Sequence, residues 1–203
     1  RSQDKFQVRK EDIEAFRRDI MPYWKGRSLE DQVRAAVGPQ VDAIAKVVKV
    51  NQKDHSQGHI CPNTKKWLKL GPAGIREEAK EHLNQAADEK QRDFYRSVII
   101  SMEGASAFME RYAALAEKKY QETKKENLLE VAAVCRKLAV APAETYQEAV
   151  QATWFLYVIL QMEGNASSFS PGRMDQYLYP YYENSRRQGM TLEDALELTE
   201  CLW

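Results

Sequence analysis

Short polar side chains are concentrated in residues 163–175, which read EGNASSFSPGRMD. The hydrogen-bonding members of this stretch are Asn165, Ser167, Ser168 and Ser170. The stretch lies between the apolar run 154–160 and the aromatic run 177–182. Amide and hydroxyl groups between two buried runs are typical of a binding site, where donors and acceptors meet a small molecule. On residue types alone, however, a capped loop that only joins two core elements is the favoured interpretation, because binding pockets are few in any protein.

The same stretch has the composition of a tight turn. Gly164 and Gly172 allow backbone angles that other residues avoid, and Pro171 prevents a strand ladder from continuing. We expect Arg173 and Asp175 to form a buried ion pair that holds this turn together.

A second polar stretch, residues 51–63, contains two of the three histidines in the protein. His55, His59 and Cys61 carry side chains of the types that bind zinc. Gly58 disfavours a helix that would align the two imidazoles, and no fourth ligand is evident nearby, so we predict no metal site. His59 is instead predicted to be a hydrogen-bonding residue at a pocket wall, where an imidazole also titrates near neutral pH. For His55, a structural role in the loop is an equal alternative.

Several kinds of chemistry leave no signature in the 203 residues. There is no nucleophile–base pair at motif spacing, no glycine-rich phosphate loop and no CxxC pair. Lys and Arg together number 30, as do Asp and Glu, so the net charge gives no reason to expect nucleic acid or an anionic membrane as a partner. The three widely spaced cysteines indicate a reducing compartment without disulfides. With no apolar run of about 18 residues and no signal peptide, a cytoplasmic location is predicted.

Apolar side chains recur at helical spacing along most of the chain, which predicts a mainly α fold. The predicted helices cover residues 13–20 before Pro22 and Gly26, 28–37 before Gly38-Pro39, 41–50 with an extended second half, 75–87 after a loop at 71–74, 88–120, 128–138, 145–160, 175–183 with a break at Pro180, and a last one from residue 191. Gly104 is expected to mark close packing of the longest helix. The helix that carries Trp154 is expected to be buried, because its apolar residues occupy more than one face.

Three stretches resemble motifs of the glycyl radical enzymes, the pyruvate formate-lyase-like superfamily, in the same order. Residues 161–182, QMEGNASSFSPGRMDQYLYPYY, are similar to the stretch usually written LESNGHSxSPGRFDQYxYP. Residues 58–62, GHICP, with Leu70-Gly71 and Gly74-Ile75 after them, are similar to GHxxP…KGLxGI. Residues 145–155, TYQEAVQATWF, are similar to TFxEALQxxWF. The resemblance extends over nearly the whole chain.

The resemblance implies that these helices form the outer helical layer and the first part of a β/α barrel. Residues 1–203 would then be the N-terminal portion of one pyruvate formate-lyase-like domain, truncated at both ends. The first residue, Arg1 rather than Met, and the uncapped helix at Trp203 agree with this expectation.

The resemblance also implies radical chemistry, whose reactive residues are missing here. In the family, a backbone glycine radical passes hydrogen-atom chemistry to a cysteine, and that thiyl radical abstracts hydrogen from the substrate, often beside a glutamate base. The chain has no RVxGY radical motif and no cysteine in a GCxE context, so Cys61, Cys135 and Cys201 do not match the radical cysteine. The catalytic residues are expected beyond Trp203. The radical would be installed by an activating enzyme that uses S-adenosylmethionine and an iron–sulfur cluster, and this segment would bind no cofactor itself.

The substrate is suggested by four positions. In glycerol and diol dehydratases of the family, the histidine of GHxxP and the HS pair before SPGR hydrogen-bond substrate hydroxyls. His59 and Ser168 match the first histidine and the serine, whereas Ser167 replaces the second histidine and Ala166 replaces a glycine. A site built for two hydroxyls would lose a donor, which argues against glycerol and propanediol.

The sequence of residues 165–176 resembles that of choline trimethylamine-lyases more than that of the glycerol and diol dehydratases. Choline trimethylamine-lyases cleave a C–N bond to give trimethylamine and acetaldehyde. Diol, isethionate and hydroxyproline eliminases are the alternatives. The predicted substrate-binding residues are His59, Asn165, Ser167, Ser168, Phe169 and Tyr177, and Arg173 and Asp175 are predicted to have a structural role at the site. Phe169 and Tyr177 are the aromatic rings that could contact a quaternary ammonium by cation–π interaction.

The resemblance further implies a small-molecule substrate, a radical S-adenosylmethionine activating enzyme and a homodimeric assembly as partners. A bacterial microcompartment is the alternative to a free cytoplasmic location. A non-catalytic helical module is the competing class of protein, because the radical motifs are absent from these residues.

Overall fold

A computed structural model describes residues 8–48, 60–164 and 168–202, with the backbone alone described at Asp42 and Gly164. The chain divides into two compact units, one of residues 1–57 with 164–166 and one of residues 58–163 with 167–203. None of the helices within the described ranges is long and apolar enough to cross a membrane. That both units belong to one larger domain stays a prediction.

Residues 8–48, the described part of the first unit, form α1 (Lys10–Ala15), a π-helical turn (Phe16–Ile20), α2 (Met21–Trp24) and α3 (Leu29–Ala45). The predicted capping box is confirmed, because the Ser28 hydroxyl accepts a hydrogen bond from the Asp31 amide at 3.1 Å. The predicted interruption at Gly38-Pro39 is also confirmed. Gly38 has non-helical backbone angles, φ 76° and ψ 175°, so α3 consists of two helical segments that meet at a kink. Pro39 begins the second segment, at a position that needs no amide donor.

The second unit begins with α4 (Thr64–Asn84), which starts earlier than predicted. The Asn63 side chain accepts a hydrogen bond from the Lys66 amide at 3.0 Å and so caps the helix. Residues 71–74 were predicted to be a loop, and this is wrong. Gly71 adopts a φ of 62° and produces a kink, after which Pro72 begins the next helical turn.

The remaining helices follow the predicted pattern closely. They are α5 (Glu89–Thr123), α6 (Asn127–Val140), α7 (Tyr146–Gly164), α8 (Met174–Tyr177), α9 (Tyr179–Arg187) and α10 (Leu192–Leu202). Pro180 lies in the first turn of α9, so the predicted break falls two residues earlier, at Leu178. The predicted box at the start of α10 is confirmed, since Thr191 and Asp194 exchange hydrogen bonds at 2.8 and 3.1 Å.

Small side chains bring α4, α5, α6 and α7 into one core. Alanines in α5, α6 and α7 leave room for larger residues such as Met109 and Phe155, which are buried. The Trp67 indole donates a hydrogen bond to the Ala152 carbonyl at 2.8 Å and so joins α4 to α7. The expected burial of α7 is confirmed along residues 149–160 with one exception, Trp154, which is 50% exposed. The expectation for Gly104 is wrong. No atom of another element lies within 4 Å of a Cβ added to Gly104, because Gly104 lies on the exposed face of α5.

Cys135 gives a test of this core. Burial raises the pKa of its thiol to about 11, and the thiolate is the form that reacts with alkylating agents. We expect Cys135 to resist iodoacetamide in the native protein at pH 8 and to react once the chain is unfolded. Mass spectrometry of the labelled peptide, with and without denaturant, measures this difference. Equal labelling rates in the two states would contradict the burial of Cys135.

Candidate functional site

The described ends of the two polar stretches, residues 60–63 and 168–175, meet in the second unit. Ile60 and Phe169 form an isolated parallel β-bridge, and the Ser170 amide donates a hydrogen bond to the Ile60 carbonyl at 2.8 Å. A bridge between residues so far apart in the chain fixes the local register of both stretches. The start of α4 and the turn before α8 are therefore one structural feature.

Two tyrosines hold the backbone of this turn. The Tyr157 hydroxyl, from α7, donates a hydrogen bond to the Ser170 carbonyl at 3.0 Å. The Tyr177 hydroxyl, at the end of α8, donates to the Pro171 carbonyl at 3.0 Å. Burial raises the pKa of both phenols, so both keep their protons at neutral pH and both stay donors. A hydrogen bond with the hydroxyl of Thr64 lowers the pKa of each phenol and so partly offsets the effect of burial. Thr64 is the first residue of α4 and is only 2% exposed, so α4, α7 and α8 converge on the turn.

Gly172 makes the closest approach in this region. Its φ is +66°, and a Cβ added to it would lie 2.9 Å from the Cys61 sulfur. Real carbon and sulfur atoms do not approach so closely without a shift, so only glycine fits while Cys61 keeps its place. The sulfur of the first stretch thus packs directly on the backbone of the second.

Arg173 and Asp175 form the predicted ion pair, but the predicted burial is wrong. The guanidinium binds the carboxylate with two hydrogen bonds, Nε to Oδ1 at 3.0 Å and Nη2 to Oδ2 at 2.7 Å. The two side chains are 70% and 63% exposed. The pair is local, between the residue before α8 and its first turn, so no other element has to cover it. The Arg173 hydrogen bonds lower the pKa of the Asp175 carboxyl.

A small cavity adjoins the turn on the α7 side. Its volume is about 150 Å³, and its walls are Thr153, Trp154, Tyr157, Phe169, Pro171, Met174 and Leu202. The Phe169 ring meets the Tyr157 ring edge-on, with centroids 6.5 Å apart. Both hydroxyls in the wall are engaged, because Thr153 donates to the Ala149 carbonyl at 2.8 Å and Tyr157 donates to the Ser170 carbonyl at 3.0 Å. The cavity therefore suits a group that makes few hydrogen bonds.

The predicted site residues divide into three sets. Ser168 and Phe169 lie half-buried at the bridge, and Phe169 faces the cavity. Tyr177 hydrogen-bonds the turn but is not among the residues that line the cavity. The predictions for His55, His59, Asn165 and Ser167 lie outside the described residues. The substrate-binding roles of all these residues stay predictions.

Sequence reasoning missed Tyr157, Thr64 and the role of Cys61 beside Gly172. Tyr157 carried a usable signal, because it is the one hydroxyl within the apolar run 154–160. A buried phenol needs a hydrogen-bond partner, so a polar target in a neighbouring loop was to be expected. Among residues that the structure describes, no group of three or more His, Cys, Asp or Glu side chains is placed to hold a metal ion.

Comparisons with known proteins extend over the whole chain. A family model described as "Pyruvate formate lyase-like" matches residues 1–203. The isethionate sulfite-lyase of Nitratidesulfovibrio vulgaris is 30% identical over 225 aligned positions, which cover 100% of this chain and 27% of that protein. The (2S)-3-sulfopropanediol dehydratase of Klebsiella oxytoca is 29% identical over 217 positions, covering 98% of this chain and 26% of that protein.

Among solved structures, the glycerol-bound B12-independent glycerol dehydratase from Clostridium butyricum is similar, with a TM-score of 0.81 and 33% sequence identity. The match covers 100% of this chain and 27% of that one. This chain therefore spans about a quarter of the length of these relatives.

Proposed function

This chain belongs to the pyruvate formate lyase-like family, and from that premise we propose that it is the scaffold and one wall of the substrate pocket in a glycyl radical lyase. The proposed reaction is a radical 1,2-elimination on a small molecule. Relatives named as a sulfite-lyase and as dehydratases support this reaction class, since each name denotes loss of a group from a substrate.

One observation carries the proposal: the bridge between Ile60 and Phe169. Each of these residues directly follows one that the family motifs assign to substrate binding, His59 and Ser168. Two motifs that are distant in the chain would have no reason to pair if each were only a connecting loop. Their pairing favours a shared role at one site.

The residues of this chain do not fit the radical group itself. None of the three cysteines stands in the motif of the radical cysteine, and the glycine motif is absent. Burial also keeps Cys135 protonated, with a pKa of about 11, which suits a core residue. We therefore assign the glycyl radical, the radical cysteine and the glutamate base to other parts of the full-length protein. An activating enzyme and a second copy of the protein are proposed as its partners.

The part played by these residues is binding, orientation and exclusion of water. The turn at 168–172 presents hydroxyl groups from a backbone that is anchored by Tyr157 and Tyr177. The cavity beside it has aromatic walls, and the Thr153 and Tyr157 hydroxyls in these walls already donate to backbone carbonyls. Such walls favour exclusion of water and offer few competing partners to a reactive substrate.

For the substrate, we propose choline, with cleavage of its C–N bond. The cavity beside the turn is lined by three aromatic rings, those of Trp154, Tyr157 and Phe169. A quaternary ammonium needs no hydrogen bonds and is attracted to ring faces, which is worth about 0.5–2 kcal/mol. The substrates named for the relatives are the alternatives: isethionate, sulfopropanediol and glycerol.

The test is an assay of the full-length protein, activated under anaerobic conditions. Choline, isethionate and glycerol are supplied separately, and trimethylamine, sulfite and aldehyde are measured. Trimethylamine from choline supports the full proposal, whereas product from another substrate supports elimination and overturns choline. No product from any of the three, with the radical detected by electron paramagnetic resonance, would favour a non-catalytic or differently reacting homologue.

Phe169→Leu tests the aromatic wall. We expect the KM for choline to rise about 2- to 30-fold with kcat little changed, because the variant loses one ring face that binds ground state and transition state alike. Phe94→Leu is the control, since Phe94 is 61% exposed on α5 and away from the cavity walls. An unchanged choline KM in Phe169→Leu would remove Phe169 from the site.

A further inference from the structure

The turn at residues 170–172 has few hydrogen bonds of its own. Pro171 has no amide hydrogen, and Gly172 has the widest conformational freedom of any residue. The Ser170 amide is already engaged by the Ile60 carbonyl at 2.8 Å. A stretch of this composition keeps one shape only if groups from other elements hold it.

Two phenol hydroxyls fix the conformation of this turn by hydrogen bonds. Tyr157 donates to the Ser170 carbonyl and Tyr177 to the Pro171 carbonyl, each at 3.0 Å. The carbonyls belong to consecutive residues, and the donors come from different helices. A rotation of either peptide plane would therefore break at least one of these hydrogen bonds.

We propose that Tyr157 and Tyr177 are positioning residues, whose hydroxyls fix the backbone of the Ser170-Pro171 turn and so set the place of Ser168 in the substrate pocket. This inference rests on the proposed function, and it gives Tyr177 a different role from direct substrate binding. Each tyrosine is half-buried in the unit, and only its hydroxyl hydrogen-bonds the backbone carbonyl of Ser170 or Pro171. Ring and hydroxyl thus have separable roles, packing for the ring and orientation for the hydroxyl.

Substitution by Phe separates the two roles, because it removes the hydroxyl and keeps the ring. In the full-length enzyme, we expect Tyr157→Phe and Tyr177→Phe each to raise KM about fivefold, the usual effect of one hydrogen bond, with kcat within about twofold. Tyr181→Phe is the matched control. Tyr181 is also half-buried, in α9, and burial raises its pKa too, but its hydroxyl donates to neither turn carbonyl.

A second measurement does not depend on activity. Hydrogen exchange of the amides in residues 168–174 should accelerate in both Phe variants and in their double variant, and should stay at the wild-type rate in Tyr181→Phe. Loss of native protein, the effect of a purely structural role, lowers the apparent kcat and leaves KM unchanged.

The outcomes separate this inference from the function on which it rests. Unchanged exchange at residues 168–174, or a fall in kcat without a rise in KM, overturns the positioning role. If the wild-type protein forms no product from any substrate while exchange still accelerates in the Phe variants, the proposed function fails and the anchoring of the turn is retained.

Discussion

Gly172→Ala is expected to lower kcat/KM of the full-length enzyme about 100-fold, the scale of loss for a shift of about 1 Å at a site. The new methyl group would lie 2.9 Å from the Cys61 sulfur, and the residue would have to hold a φ of +66°. The left-handed conformation alone costs an alanine about 1–2 kcal/mol. The contact is relieved either by rotation of the exposed Cys61 side chain or by movement of the turn. The expected loss arises from movement of the turn, because the hydroxyls that the turn carries move with it. Steady-state kinetics on the activated enzyme measure the loss.

Two further variants separate the contact from the backbone strain. Gly26→Ala is the control, because Gly26 has a similar φ of +78° but no atom within 4 Å of an added Cβ. Cys61→Gly combined with Gly172→Ala removes the sulfur and leaves only the strain. We expect this double variant to recover about tenfold of the lost kcat/KM, since relief of overpacking is typically worth 1–3 kcal/mol. If Cys61→Gly restores nothing, the close approach at Gly172 is not what limits the site.

Gly71→Ala is expected to destabilise the protein by about 2–6 kcal/mol, the sum of about 1–3 kcal/mol for backbone angles that are essentially restricted to glycine and about 1–3 kcal/mol for an overpacked contact. The φ at Gly71 is +62°, and an added Cβ would lie 3.0 Å from the Ala141 carbonyl oxygen and 3.5 Å from the Pro142 Cα. These are backbone atoms, which cannot rotate away as a side chain can. The shift of the denaturation midpoint relative to wild type measures the effect.

The chain contains a matched control for this prediction. Gly38, like Gly71, lies at a helix kink and is followed by a proline. The backbone angles are also similar, with φ 76° and ψ 175° at Gly38 and φ 62° and ψ 175° at Gly71. No atom lies within 4 Å of a Cβ added to Gly38. Gly38→Ala therefore measures the strain, and the excess in Gly71→Ala measures the contact. Equal effects of the two substitutions would show that the Ala141 contact is relieved without cost.

Helix positions were predictable because their causes are local. The 3.6-residue apolar period located α5, and the Ser28-Asp31 and Thr191-Asp194 boxes form the hydrogen bonds expected of them. The Gly-Pro pairs interrupt the helices at Gly38 and Gly71, as local propensity predicts, because glycine and proline are both helix breakers. The loop expected after Gly71 is absent, because proline fits the first turn of a helix and the chain becomes helical again at once.

The candidate site was predictable in its residue types and not in its contacts. The motif stretches around Ser168 and His59 stood out by composition, and their amino-acid sequence indicated the family. No local pattern could place Ile60 beside Phe169, aim Tyr157 at the Ser170 carbonyl or bring Cys61 onto Gly172. Nor could it show that the Arg173–Asp175 pair is exposed.

The difference has one physical origin. Periodicity, capping and turn chemistry act over about four residues, so the amino-acid order alone specifies the helices, the polar stretches and the family motifs. Burial, close approach and hydrogen bonds between distant residues depend on how finished helices pack against one another. Which tyrosine holds the turn, and which glycine has no room for a methyl group, are properties of that packing.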